Sequence, residues 1–291
     1  MNPQLNNLVR SYLRWCPITD GKSFLLRLTK DWITPEDPIA VFETKYQFQL
    51  KANLANPEHQ YLYFYGTHDE RYIITKLLRI IEPGDICWDI GANIGFYTCL
   101  FASRVGDTGA VVAFEPATRT CGYLHENVSL NRFTNVTVIN KGVGDKTEQR
   151  HLYYSEAGLA EGTASLKYAK KRTTSERVTL DTIDNLFREL SAPDFVKIDV
   201  EGYQLEVLKG GEYYLKTHAP LLMVELKDVG ETNRAIYGEI EDYISDLGYQ
   251  LYKIEKHSIR RCEKLSDTTR RNFFLVKKRS RAFSRILPWL R

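Results

Sequence analysis

The chain has 291 residues, 43% hydrophobic and 26% charged, with 40 basic and 37 acidic side chains and a formal net charge of +3. That composition is ordinary for a globular protein with one large α/β domain and an extension, and a balance so close to neutral gives no sign of a nucleic-acid partner. No apolar run approaches the roughly 18 residues that a membrane-spanning helix needs.

Residues 1–40 show weak periodicity and several turn residues, which predicts a short helix followed by irregular chain. The opening MNPQLNNLVRSYLRW has no apolar signal core. The five cysteines, Cys16, Cys87, Cys99, Cys121 and Cys262, are an odd count without metal spacing. Cys87 and Cys99 sit in apolar runs and read as core residues, so the expected location is a reducing cytoplasm. From Val41 to Tyr65 the chain reads as extended, with VFETKYQFQLKA and YLYFYG as strands. Over Asp69–Ile81, Ile73, Ile74, Leu77, Leu78 and Ile81 share one helical face, and Pro83-Gly84 ends the helix.

Strands and helices then alternate. Strands are expected at Ile86–Ile90, Ala110–Glu115 and Val136–Asn140, with helices at Gly95–Ser103 and Thr118–Leu130. Arg150–Tyr154 is extended and residues 156–175 form a polar insertion, expected to act as a lid or acceptor loop. VTLDTIDNLFREL is a strand and then a helix capped by Asp181. The strand Phe195–Val200, the helix Gln204–Lys209 and the strand Leu221–Leu226 follow. The helix Ile236–Leu247 and the strands Tyr249–Ile254 and Asn272–Val276 complete the pattern. Such alternation predicts a parallel sheet with helices on both faces, and ligands bound beyond the carboxyl ends of its strands. The last two strands lack a helix between them and are expected to form an antiparallel hairpin at the sheet edge. The domain reading is an extension with short strands over residues 1–65, a main domain over 66–278 and a tail over 279–291.

The last fifteen residues, KKRSRAFSRILPWLR, hold six basic residues and no acid, together with Phe283, Ile286, Leu287, Trp289 and Leu290. This end reads as a solvated or loosely docked terminus, or as a peripheral contact with an anionic membrane through residues 277–291.

CWDIGANIGFYT, Cys87–Thr98, places Asp89 at a strand end and Gly91 and Gly95 around the turn into a helix. The loop is G-x-x-x-G, with Asn93 where a dinucleotide loop would want its middle glycine, so a pyrophosphate cradle is disfavoured. An acid there suits a ligand with a cationic amino group. VVAFEP places Glu115 at the end of the next strand, where a carboxylate can accept two hydrogen bonds from a ribose diol. Together these residues read as a nucleoside site that favours S-adenosylmethionine over a nicotinamide dinucleotide.

DIGANIGFYT, FEPATRTCGYLHENVSLN, NVTVINKGVGD, VTLDTID, FVKIDVEGYQLEVLKGG and LLMVEL, in this order, resemble the FkbM family of S-adenosylmethionine-dependent methyltransferases. YFYGTHDE before them and NFFLVKK after them extend the likeness over roughly Val41–Lys278. The resemblance implies a class I methyltransferase fold: a Rossmann-like, mostly parallel seven-stranded sheet with its last strand antiparallel. It also implies that Asp89, Gly91, Asn93 and Gly95 form the methionine-side loop. Glu115 would bind the ribose, and backbone around Val143 would lie by the adenine. Glu70, an acid before the first strand of the main sheet, would help close the site. The implied acceptor is a small molecule or glycan, such as a sugar of a surface polysaccharide or a natural product.

FVKIDVEG, Phe195–Gly202, carries Lys197, Asp199 and Glu201 at alternate positions of an otherwise apolar strand. Buried charges are costly unless paired or used. Methyl transfer to a hydroxyl needs an in-line acceptor and removal of its proton. Asp199 is the expected base or metal ligand, Glu201 orients acceptor or cofactor, and Lys197 partners the carboxylates. Glu225, ending the next strand, is a third acid, and with Asp199 it is a candidate ligand for a divalent metal. The alternative is a structural ion network beneath the following helix. His68 and His151 flank the expected cleft, while His125, His218 and His257 read as surface or packing residues. At the level of function, the expectation is an O-methyltransferase, with a nicotinamide-dependent dehydrogenase or a non-catalytic S-adenosylmethionine-binding module as the alternatives.

Overall fold

Two helices, α1 (Pro3–Trp15) and α2 (Lys22–Ile33), precede a hairpin of β1 (Ile39–Glu43) and β2 (Gln49–Asn53). The structure, a computed structural model, describes residues 3–16, 21–33, 37–154, 166, 174–226, 234–265 and 271–291. The first forty residues therefore hold two helices rather than one. A further difference lies at residues 57–65, where YLYFY is helical and not extended: α3 spans Pro57–Tyr65. Asn56 accepts from the Glu58 N–H, Pro57 fits the first turn, and Gly66 closes the end in a left-handed conformation. These caps, with burial of Leu62, Tyr63, Phe64 and Tyr65, override the strand preference of the aromatic residues.

After α4 (Arg71–Ile80) come β3 (Ile86–Ile90), α5 (Phe96–Val105), β4 (Ala110–Phe114), α6 (Thr118–Leu130) and β5 (Val136–Ile139). A small sheet follows, made from β6 (Gly142–Val143), β7 (Glu148–Tyr154) and β8 (Thr174–Asp181) in the order β6-β8-β7. α7 (Ile183–Glu189) is capped by Thr182, whose hydroxyl accepts from the Asn185 N–H, and not by Asp181. Asp181 instead binds Lys141 at 3.1 Å. The remaining elements are β9 (Phe195–Ile198), α8 (Gln204–Lys209), α9 (Glu212–His218), β10 (Leu221–Glu225), α10 (Arg234–Asp246), β11 (Gln250–Ile254), β12 (Ile259–Arg261), β13 (Asn272–Val276) and α11 (Arg281–Ile286).

The main sheet has the order β12-β11-β13-β10-β9-β3-β4-β5. β10, β9, β3, β4 and β5 are mutually parallel, and β13 runs antiparallel between β10 and β11. This is the class I methyltransferase arrangement with an eighth strand, β12, paired antiparallel to β11 at the edge. The expected antiparallel pairing of β11 with β13 is present, but the edge itself is β12, which adds on the outer side of β11. Both faces are covered, which explains the near-continuous apolar strands. Cys87, Val111 and Phe195 belong to the core beneath α3, α4 and α5, while Trp88, Val112 and Val196 belong to the core beneath α7 to α10.

The C-terminal segment is docked and not loose. Ile286 is fully buried, and Phe283, Trp289 and Leu290 pack against the core. Arg285 holds Asp85 through two bonds of 2.6 and 2.8 Å, and Trp289 lies 5.0 Å from the Lys76 ammonium. The exposed charges Lys278, Arg279 and Arg281 face outward.

Candidate active site

Asp89 and Lys197 are paired in register on the parallel strands β3 and β9, so their side chains leave the same face of the sheet. Lys197 Nζ stands 3.5 Å from Asp89 Oδ1, 3.2 Å from Asp199 Oδ2 and 5.0 Å from the centre of the Tyr97 ring. Burial works against the lysine charge, but Asp199, Asp89 and Glu225 outweigh it and hold the ammonium above the usual lysine range. Asp89 is fully buried. Its Oδ2 accepts from Thr98 Oγ1 at 2.6 Å, and its Oδ1 has no hydrogen-bond partner. Burial raises its carboxyl group above the ordinary range, against the pull of Lys197. Glu225, at the end of β10, is pushed up to about 8 by burial first and by Asp199 second.

The turn from β3 into α5 lies beside this cluster. Gly91, Asn93 and Gly95 have φ of 80°, 51° and 93°, the left-handed region. A Cβ on Gly91 would lie 1.9 Å from the Asp199 carbonyl oxygen, so the two strand ends meet through a glycine. The Asn93 N–H donates to Glu115 Oε2 at 2.9 Å and the Ala117 N–H to Oε1 at 3.0 Å, which fixes the carboxylate at the end of β4. Burial still pushes the Glu115 carboxyl up to about 7, because these donors offset it only in part. Val143 in β6 is buried and lines the same cleft. The loop after it is set by the glycine pair that follows α8: a Cβ on Gly210 would lie 1.8 Å from the Gly144 carbonyl oxygen.

One cleft is thus lined by Gly91, Asn93, Glu115, Val143, Lys197, Asp199, Glu201 and Glu225. Glu201 reaches it from a left-handed turn with φ of 47°, because β9 ends at Ile198 and the strand alternation stops there. Glu70 lies outside the lining; Tyr72 Oη donates to it at 3.2 Å and Asn272 Nδ2 at 2.5 Å. His68 lines the cleft. Burial disfavours the charge of its ring, but the Asp69 carboxylate 2.8 Å from Nδ1 overcomes this and raises its pKa. His151 lies on β7 beside Ser175 and outside the lining. The expected lid at 156–175 falls outside the described residues, apart from Leu166 and the start of β8. Leu166 is buried and lines the cleft.

Sequence reasoning missed His59 and Tyr97. His59 is buried on α3, with Nδ1 3.2 Å from the Asn53 carbonyl oxygen, and burial lowers its pKa to about 4 against the opposing Asn53 and Asn93 contacts. The cap Asn56-Pro57 was the available signal, since it starts a helix that turns His59 inward. Tyr97 is one residue into α5 and covers the ammonium of Lys197. As for a metal, a cation already stands between Asp89 and Asp199. Among the described residues no three His, Cys, Asp or Glu side chains converge to hold an ion.

Residues 89–251 match the methyltransferase FkbM domain. The chain belongs to the FkbM methyltransferase family. The hexuronic acid methyltransferase AglP of Haloferax volcanii is 34% identical over 146 residues, which cover 48% of this chain and 56% of that protein. The chain therefore spans little more than half the length of that relative. The methyltransferase sdnD of Sordaria araneosa is 26% identical over 224 residues, covering 67% of this chain and 83% of that protein. Among solved structures, an FkbM methyltransferase from Methylobacillus flagellatus matches with a TM-score of 0.43 and 18% identity, over 66% of this chain and 43% of that one.

Proposed function

We propose that this FkbM-family chain transfers the methyl group of S-adenosylmethionine to a hydroxyl oxygen of a sugar or a related small acceptor. The observation that carries this reading is a single cleft lined by both Glu115 and the Asp199–Lys197 pair. The residues present fit the cofactor. The turn after β3 lines the cleft with Gly91, Ala92, Asn93 and Ile94, and Asp89, buried behind that lining, adds negative charge beside Lys197. Glu115 is held rigid to accept from a ribose diol, and Val143 offers an apolar wall to a base. When bound, the cofactor supplies an electrophilic methyl carbon on a positively charged sulfur.

Asp89 and Asp199 outnumber Lys197 and make this end of the cleft favourable for such a cation. Lys197 fixes Asp199 by their 3.2 Å contact. Asp199 would accept the acceptor's hydroxyl proton, and the bound cofactor would supply its methyl carbon to that oxygen, the electron pair of the broken bond staying on sulfur. Glu225, protonated near neutral pH, orients the acceptor oxygen as a donor. No step is assigned to a metal. Similarity to a hexuronic acid methyltransferase supports a sugar-class acceptor.

A second reading, transfer to a carboxylate oxygen, is favoured by Arg271 and His68, which line the same cleft. Incubation with methyl-labelled S-adenosylmethionine and glycan fractions tests both. Label that survives mild alkali is an ether on a hydroxyl; label released by alkali is an ester. No transfer to any sugar acceptor, despite calorimetric binding of the cofactor, overturns the sugar reading.

A further inference from the structure

Among the described residues, the N-terminal helices carry an apolar surface that stays exposed. Val9 and Leu13 of α1 are buried against the body of the protein. Leu8, Tyr12 and Trp15, spaced i, i+4 and i+7, form an adjoining face that stays exposed, Leu8 at 69% and Trp15 at 68%. On α2, Phe24 and Leu28, spaced i and i+4, are exposed at 54% and 58%. The apolar arc is therefore wider than the seam it packs, which is unusual for a helix whose single task is to fill a core.

The sequence of this region carries charge of one predominant sign. Residues 1–33 hold five basic and two acidic side chains. Arg27 lies over the Phe24 ring at 5.7 Å, and Lys45 lies over the Trp15 ring at 5.3 Å. Lys45 sits beside Arg71, Lys22 and Arg14; burial first and these cations second lower its pKa to about 8. Glu43 offsets part of the Arg14 charge. A neighbouring anion would relieve the repulsion around Lys45.

The platform is firmly attached. Asn6 Nδ2 donates to Tyr63 Oη at 2.9 Å, and Arg14 donates to the Tyr63 and Phe64 carbonyl oxygens. Those carbonyls belong to α3, whose Glu58, His59 and Leu62 form a wall of the cleft. Whatever α1 and α2 rest on is thereby set in a fixed relation to the active site. Among the described residues no helix is long and apolar enough to cross a membrane, so insertion as a span is not the use of this face.

We propose that α1 and α2 are a peripheral docking face for an anionic lipid bilayer. Leu8, Trp15, Phe24 and Leu28 enter the headgroup boundary, and Arg27 and Lys45 meet the lipid phosphates. Aromatic and aliphatic side chains next to cations suit that boundary, where apolar burial and attraction to anionic headgroups act together. This role moves membrane contact from the C-terminal tail, whose aromatic residues are packed, to the other end of the chain. It does not depend on the acceptor assigned above.

The test is sedimentation of the full chain with vesicles of phosphatidylcholine alone or with 30 mole per cent phosphatidylglycerol. Binding is expected to the anionic vesicles, at least tenfold stronger than to neutral ones, and to fall at least tenfold in half-molar salt. Leu8→Ser combined with Trp15→Ser is expected to cost at least tenfold in binding. Lys45→Gln alone costs a few-fold. None of these residues lines the cleft, and an unchanged thermal midpoint confirms an intact fold. Equal binding to both vesicle types, full binding by the double variant, or no binding to anionic vesicles overturns the proposal. A concentration-dependent dimer abolished by the double variant, with no vesicle binding, assigns the face to a second copy instead.

Discussion

At the amino ends of β3 and β9, Arg285 enters from α11 and binds both oxygens of Asp85, at 2.6 and 2.8 Å. Asp194, just before β9, accepts the Ile86 N–H at 3.0 Å, and Asp85 also accepts from the Glu82 N–H. At the carboxyl ends of the same two strands, Lys197 makes looser contacts of 3.2 and 3.5 Å with two carboxylates. One Asp89 oxygen is buried there without a hydrogen-bond partner, and the Glu225 carboxyl is pushed up to about 8. The first cluster is closed by two-pronged bonds and backbone donors. The second keeps unspent acceptor capacity beside a cleft. Burial of charge alone does not single out the candidate site; here it is buried charge left partly unsatisfied beside a cleft that does.

Substitutions at the two ends should therefore fail in different ways. Asp199→Asn is expected to lower methyl transfer by about 10²- to 10⁴-fold, the range for a general base, with the fold intact. Normal turnover by a folded Asp199→Asn protein would remove Asp199 from its assigned role. Arg285→Ala leaves Asp85 buried without its partner, and chemical denaturation should show a loss of about 3–5 kcal/mol. Turnover per folded molecule should not change; a folded variant that no longer binds S-adenosylmethionine would break the comparison.

Glu115→Gln should weaken S-adenosylmethionine binding by about 1.5–3 kcal/mol, the value of a hydrogen bond to a charged group, read by calorimetry. Wild-type affinity should likewise fall as pH drops below about 7, because a protonated Glu115 loses acceptor capacity. The smallest effect concerns stability. Glu225 titrates near 8 when folded, against 4.5 for an ordinary glutamate, so the folded state holds the extra proton between those values. Its contribution is full below about 4.5 and is lost as pH rises through about 8. Glu225→Gln should then raise the cofactor-free melting temperature above pH 8, by about 2–4 °C for each kcal/mol recovered. A midpoint that falls instead would mean that the ionised carboxylate is paired.

Much of this was legible in the sequence. Strand–helix alternation placed β3, β4, β9 and β10, and three of the four strand-end acids singled out, Glu115, Asp199 and Glu225, line one cleft. Their pairing was less visible. Asp89 and Lys197 are more than a hundred residues apart in sequence, and only the register of two parallel strands brings them together. The YLYFY segment misled because its aromatic residues fit a strand or a buried helix equally well, and the cap residues outside it decided the matter. The tail misled through composition. Six basic residues suggest a solvated end, but the buried Asp85 converts one of them, Arg285, into an anchor. His59 was hidden because its position depends on a helix that the pattern did not predict.

The cleft draws its walls from unequal stretches of chain. The family match starts at residue 89, yet Glu58, His59, Leu62 and His68 stand before it and face the same space. Part of the cleft wall thus comes from a stretch of chain that precedes the loop expected to hold the methyl donor. Replacing residues 37–68 with the corresponding piece of a relative should exchange preference among acceptors while leaving the donor's affinity nearly unchanged. If that exchange occurs, one chemical engine could be fitted to new molecules by altering a segment outside the matched domain.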